Sequence, residues 1–158
     1  MARCSFALLI LLLAGCAGSS RRTDSLCGEM LRFANSVPPS SEHAVELCVS
    51  WGSACSENKD VLSSWSCEHA GYEPGSRFCD YLLAETSAEF PNANFSRALA
   101  CLGKRVYAPK RYVDYNWGDA SVRTAAMPGL AAGREIELVS KVAVKRSPAM
   151  LQVIVRAD

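Results

Sequence analysis

Histidine is scarce in this sequence, which has two imidazoles, His43 and His69, among its 158 residues. It contains no C-x-x-C pair, no C-x-x-C-H haem motif and no glycine-rich loop of the kind that cradles phosphate. Serine or cysteine nucleophiles need a base and an orienting group, and no such arrangement is visible. Glu42 and Glu46 lie on one predicted helix, whereas a glycosidase needs two acids across a cleft. These absences favour a protein that is not an enzyme and uses no metal or cofactor.

The sequence also lacks an excess of positive charge, with 17 Lys+Arg against 16 Asp+Glu. A nucleic-acid partner would be expected to leave a basic excess, so we predict no nucleic-acid binding. The charge is unevenly placed, because residues 17–103 hold six bases and eleven acids while residues 104–158 hold ten bases and five acids. We interpret this asymmetry as two parts of one domain that pack together, with a functional charged patch as the alternative.

Apolar runs of bilayer length are missing, and the longest apolar run lies at the start of the chain. Residues 1–15, MARCSFALLILLLAG, contain Arg3, an apolar stretch and then small residues. This is the layout of a secretory signal peptide, which predicts export from the cytoplasm.

Leu13, Ala14 and Gly15 directly precede Cys16, and this tetrapeptide resembles the lipobox of bacterial lipoproteins. The resemblance implies removal of residues 1–15 and modification of Cys16 with lipid and fatty acyl chains such as palmitate. Several acyl chains on one residue hold a protein stably in a bilayer, so the bilayer is a predicted partner. By resemblance to Gram-negative lipoproteins, Ala17 after the cysteine implies an outer-membrane location, facing either periplasm or exterior. The alternative is an ordinary signal peptide cut nearby, with Cys16 left as a passive thiol.

The mature chain is predicted to form one α+β domain, a disulfide-clamped helical array followed by a small antiparallel sheet. Residues 16–24 are the lipidated cysteine and a short polar tether, residues 25–103 a helical disulfide-rich region, and residues 104–158 a β-rich region. Helical spacing and turn residues predict five helices. They cover residues 26–37, a stretch after the caps Ser40 and Ser41 that carries Ala44, Val45, Cys48 and Trp51, and residues 59–69, 77–90 and 94–103.

Beyond Gly103 the apolar residues alternate with period two. Residues 135–145, EIELVSKVAVK, predict a half-buried strand, and residues 150–155 predict a second strand that completes an antiparallel hairpin. Residues 126–133, AMPGLAAG, are predicted to form a loop. Segments around Val106-Tyr107 and residues 112–115 are candidates for a further strand.

Six cysteines remain after Cys4 and Cys16 are set aside: Cys27, Cys48, Cys55, Cys67, Cys79 and Cys101. An even number in an exported chain predicts three structural disulfides. A zinc site is the competing interpretation, but C-x-x-C ligand spacing is absent and the two histidines offer few imidazole ligands.

An internal similarity narrows the pairing, because residues 27–48 and 79–101 each begin and end with cysteine around a proline-marked turn. If both were antiparallel helical hairpins, Cys27 would pair with Cys48 and Cys79 with Cys101. Cys55 and Cys67 would then form the third bridge. The similarity is short, and chance resemblance is the alternative.

Aromatic and charged residues are interleaved in residues 105–119, RVYAPKRYVDYNWGD. Tyr107, Tyr112, Tyr115 and Trp117 are the candidate binding residues, because this mixture is enriched at binding hot spots. Filling a seam between helices and sheet is the alternative. Together these features predict an envelope lipoprotein that binds another protein without catalysis, as an inhibitor, an immunity factor or an accessory subunit. Glycan or peptidoglycan binding, and a purely structural envelope role, are the alternatives.

Overall fold

Three helices and five strands are present in the described part of the computed structural model, which covers residues 25–86, 91–103, 120–141 and 148–158. The predicted α+β class is confirmed. In chain order the elements are α1 (Ser25–Ser36), β1 (Ser41–Trp51), β2 (Ser63–Glu68), α2 (Glu73–Glu85), α3 (Pro91–Cys101), β3 (Ala120–Thr124), β4 (Arg134–Lys141) and β5 (Ala149–Ala157).

The strands form one five-stranded sheet in the order β2-β1-β5-β4-β3, and every neighbouring pair is antiparallel. The predicted hairpin of β4 and β5 is confirmed, and the predicted loop of residues 126–133 connects β3 to β4. Strand β3 was not predicted. The candidate strands around Val106-Tyr107 and residues 112–115 lie outside the described residues.

Three of the predicted helices are confirmed. In α1, Leu26, Met30 and Phe33 are buried at helical spacing, and the helix ends before Pro38, which cannot continue it. Helix α2 begins at Glu73, four residues earlier than predicted, because Pro74 is favourable in the first helical turn. Helix α3 likewise begins early, at Pro91.

Two predicted helices are wrong, because residues 41–51 and 63–68 form strands β1 and β2. In β1 the buried apolar side chains are Val45, Leu47 and Val49, which alternate with period two and are covered by helices on one side. A helix would place Leu47 on the face opposite Val45 and Val49, so burial of all three against the helical layer favours the strand.

All six cysteines form disulfides, but the predicted pairing is wrong. The bonds are Cys27–Cys101, Cys48–Cys55 and Cys67–Cys79. Residues 27–48 are a helix followed by a strand and residues 79–101 are parts of two helices, so the two segments do not form equivalent hairpins. The disulfides instead join α1 to α3, β2 to α2, and β1 to the loop that follows it.

The core lies between the helices and one face of the sheet, here called the inner face. It receives alternate aliphatic side chains from β1, β5 and β4, and Met30, Phe33, Phe78, Leu82 and Leu102 from the helical side. Burying each large apolar side chain contributes about 1.5–3 kcal/mol, so this interface supplies most of the driving force for folding.

Side-chain contacts show the directions of α1 and α2 relative to β1. A Cβ added at Gly75 would lie 3.3 Å from Val45 Cγ2, and Cys79 is bonded to Cys67, the neighbour of Leu47 across the ladder. Helix α2 therefore runs in the same direction as β1. Helix α1 runs the opposite way, since Tyr72 Oη donates to Ser36 O over 2.7 Å at one end.

Candidate functional site

Several residues predicted to be functional lie outside the described residues. They are Cys16, Tyr107, Tyr112, Tyr115 and Trp117. Lipidation of Cys16 and binding through the aromatic segment therefore stay predictions.

The two histidines occupy separate structural positions. His43 lies on β1, and its ring stacks on Tyr72 with the centroids 3.7 Å apart. His69 lies in the turn before α2, and its Nδ1 is buried without a hydrogen-bond partner among the described residues. No group of three or more His, Cys, Asp or Glu side chains in the described ranges is arranged to hold a metal ion.

A small cavity lies between α1 and α2. Its volume is about 110 Å³, and it is lined by Glu29, Arg32, Phe33, Ser36, Pro74, Arg77 and Phe78. Typical small-molecule pockets measure about 300–1,000 Å³. Arg32 is paired with Glu29, and Arg77 with Glu73, so both cations at this cavity already have carboxylate partners.

The second face of the sheet, here called the outer face, carries a strip of half-buried apolar side chains. Ala44 lies opposite Ile154 across the β1–β5 ladder, and Met150 on β5 and Val139 on β4 lie further along the same face, with Gln152 between Ile154 and Met150. None of the four apolar side chains belongs to the core cluster. Among the described residues, helices pack against the inner face and leave this strip uncovered.

An ion network borders the apolar strip. Arg156 donates to Glu137 Oε2 over 2.8 Å and contacts Glu42 over 2.5 Å, so it joins β5 to both of its neighbours. Arg123 and Ser121 on β3 also donate to the Glu137 carboxylate, over 2.9 and 2.8 Å. The hydrogen bond from Arg156, and those from Ser121 and Arg123, lower the pKa of Glu137 to about 2, although burial opposes the shift.

Two carboxylates on the other side of the strip have no cationic partner among the described residues. Glu46 on β1 and Glu68 on β2 are directly opposite each other across the ladder, so both side chains lie on the outer face. Within the described part of the chain, neither carboxylate forms an ion pair. Like charges directly opposite each other are destabilising, so a cation placed between them would be favourable.

A second exposed feature, here called the aromatic patch, consists of Trp51, Leu62 and Trp65. Their exposed fractions are 67%, 91% and 50%. Trp51 lies two residues after the buried Val49, and Trp65 is opposite Val49 on β2, so both indoles lie on the inner face. Leu62 directly precedes Ser63, the ladder partner of Trp51, so all three side chains lie at the end of the β1–β2 hairpin.

The loop behind the aromatic patch is held in place. Cys55 is bonded to Cys48 on the outer face, and its backbone N donates to Ser64 Oγ over 3.1 Å. Ser64 Oγ in turn donates to Gly52 O over 2.6 Å, and Gly52 N donates to Leu62 O over 2.8 Å. These bonds fold residues 53–56 back over the outer face, on the opposite side of the sheet from Trp51 and Trp65.

The sequence analysis did not predict the outer-face strip or the aromatic patch, because it assigned Ala44, Trp51 and Trp65 to helices. The available signal was the alternation of Val45, Leu47 and Val49, which would have placed Trp51 on the same face of a strand.

None of the helices within the described ranges is long and apolar enough to cross a membrane. No protein-family model, curated protein or solved structure matches the chain.

Proposed function

We infer that this protein is a lipid-anchored component of the bacterial envelope that binds a partner protein without catalysis, through the outer face of its sheet. The observation that carries this proposal is the apolar strip of Ala44, Val139, Met150 and Ile154, which the described helices leave uncovered and ordered charges border. Apolar side chains beside ordered polar groups are the usual composition of a protein interface.

The charges beside the strip indicate the chemistry of the partner. Glu46 and Glu68 present two adjacent carboxylates next to the apolar side chains. A partner surface with a Lys or Arg beside an aliphatic or aromatic residue would satisfy both features. The network around Glu137 is already ordered, so docking against it would cost less side-chain entropy than docking against mobile charges.

The lipobox supports the rest of the proposal. Acylated Cys16 would hold the domain at a membrane, by resemblance the outer membrane, where a tethered binding domain meets its partner repeatedly. Three disulfides suit a rigid domain in an oxidising compartment. An inhibitor or immunity factor, or an accessory subunit of an envelope complex, fits these properties.

The proposal is tested by photo-crosslinking in intact cells. A photoreactive amino acid at Ile154 should give one discrete adduct with a second protein, whereas the same group at Asp80 on the exposed side of α2 should give none. Ile154 lies on the outer face and Asp80 on the opposite side of the domain. Equal adducts from both positions, or none from Ile154, would rule out the outer face as the docking surface.

A substitution provides the matched test of affinity. Ile154→Asp places a charge in the apolar strip and should weaken binding of the crosslinked partner at least tenfold, which is about 1.4 kcal/mol. Asp80→Arg changes charge on the helical side and should leave binding unchanged. Circular dichroism of both variants establishes that they fold.

A further inference from the structure

The aromatic patch lies at the end of the domain to which the predicted lipid tether is attached. Ser25, the first residue of α1, is fixed to α2 by a 2.7 Å hydrogen bond between its Oγ and Tyr81 Oη. The Cys27–Cys101 disulfide fixes the same end of α1 to α3. The start of the domain therefore has a defined position relative to β1.

Helix and strand geometry give the distance between Ser25 and the patch along the sheet. Cys79 is level with Leu47, because it is bonded to Cys67 opposite that residue. Tyr81 lies two residues further along α2, which is about 3 Å further in the direction of β1. Because Ser25 is hydrogen-bonded to Tyr81, Ser25 is about level with Cys48, the residue after Leu47. Trp51 is three strand residues beyond this level, so it projects about 10 Å past the start of α1, whereas Trp65, opposite Val49, projects about 3 Å.

The chain between Cys16 and Ser25 limits how far this end can be from the bilayer. Residues 17–24 number eight, and eight residues span at most about 28 Å even when fully extended. As a random coil they would span about 15 Å. The projection of Trp51 thus covers much of the distance between the domain and the lipid.

We propose that Trp51, Leu62 and Trp65 insert into the headgroup region of the bilayer that holds Cys16 and so fix the orientation of the domain. This inference rests on the proposed lipid anchor. Tryptophan is enriched at membrane interfaces, where its apolar ring and polar N–H both find suitable surroundings. The exposed fractions of Trp51 and Leu62, 67% and 91%, leave this surface available for such contact.

The chemistry of the patch indicates that apolar contact, and not charge attraction, drives its insertion. The three side chains are uncharged, and the adjoining loop carries Glu57 and Asp60 against Lys59. Contact with neutral phosphatidylethanolamine is therefore sufficient, and high salt should not release the patch, since salt screens charge interactions only.

The test is tryptophan quenching in the full lipidated protein. A Trp117→Phe background leaves Trp51 and Trp65 as the only indoles. The protein is reconstituted in phosphatidylethanolamine and phosphatidylglycerol vesicles, with or without bromine on the acyl chains near the headgroup. Brominated lipid should lower emission about twofold, at low and at high salt, because interfacial rings lie beside the brominated carbons.

The matched control places the reporter at the far end. In a variant with all three tryptophans changed to Phe and Asp158→Trp, the indole lies beyond the pair Ser41 and Ala157, where β1 begins. Its emission should not change with brominated lipid. If Trp51 and Trp65 are quenched no more than this reporter, the insertion proposal is wrong.

Two further readouts separate the possible failures. Flotation of the protein with vesicles reports the lipid anchor alone, so loss of flotation contradicts the anchor and not the patch. A blue-shifted emission that brominated lipid does not quench would show that a second copy or another protein covers the patch, and it would overturn insertion.

Discussion

Glu137 lies in the middle of β4, and three side chains donate hydrogen bonds to its carboxylate. Arg156, Ser121 and Arg123 come from the two strands on either side, so this one residue connects β5, β4 and β3. Hydrogen bonds to a charged group each contribute about 1.5–3 kcal/mol when the group is shielded from water. The Glu137 side chain is only 15% exposed, so its carboxylate is largely shielded from water.

We expect Glu137→Gln to lower the free energy of unfolding by about 2 kcal/mol at neutral pH, because it removes the charge that Arg156 and Arg123 contact. Glu135→Gln is the control and should cost less than about 0.5 kcal/mol, since its contact with Arg123 is long, 3.7 Å, and exposed. Urea denaturation measures both. Equal effects of the two substitutions would contradict the central position of Glu137.

The pH dependence follows from the direction of the pKa shift. The pKa of Glu137 is lowered from 4.5 to about 2 in the folded protein, so the ionised carboxylate stabilises the fold above pH 4.5. This stabilisation is lost as the pH falls through the folded-state pKa. The stability difference between the wild type and Glu137→Gln should therefore vanish between pH 4.5 and 2, as measured by urea denaturation at each pH. A constant difference would contradict the shift.

At the scale of elements, strands with clean alternation were predictable and β1 was not. In β4, Ile136 and Leu138 alternate with charged residues, and the strand was predicted with its partner β5. In β1, Ala44 and Val45 are adjacent apolar residues, and with Cys48 and Trp51 they fit helical spacing as well as a strand. The alternation of Val45, Leu47 and Val49 fits a strand, but only the pairing of β1 with β5, 100 to 116 residues away in the chain, selects between the two structures.

The disulfide error has the same origin. The assumed helical hairpins placed Cys27 next to Cys48, whereas a strand after α1 carries Cys48 to the outer face of the sheet. Proximity of Cys27 to Cys101 depends on how α3 packs against α1, and their sequence separation is 74. The presence of disulfides could be predicted from composition and export, but their pairing required the fold.

Tryptic mapping under non-reducing conditions distinguishes the two pairings. The structure predicts that TDSLCGEMLR is linked to ALACLGK, and that the peptide with Cys67 is linked to the peptide with Cys79. Cys48 and Cys55 fall in one peptide, residues 33–59, which should carry an internal bridge and no partner. A link between residues 33–59 and TDSLCGEMLR would contradict the fold and favour the pairing inferred from the repeat.

At the scale of the whole molecule, the two proposals are consistent with a single orientation of the domain on the membrane. If the end of the sheet at Trp51 contacts the bilayer, the strands extend away from the membrane surface. The outer face is then exposed on the side of the domain, where a partner in the envelope can bind it. Arg156 and Glu42 join the β-rich end of the chain to the preceding region, in line with the interpretation that the two unevenly charged parts pack together.

Both proposals depend on lipid at Cys16, which one measurement tests directly. Intact-mass spectrometry of the protein extracted from membranes should show a chain that begins at Cys16 and carries a diacylglyceryl group, usually with an additional acyl chain. A chain that retains Met1, or one whose Cys16 has an unmodified thiol, would contradict the account.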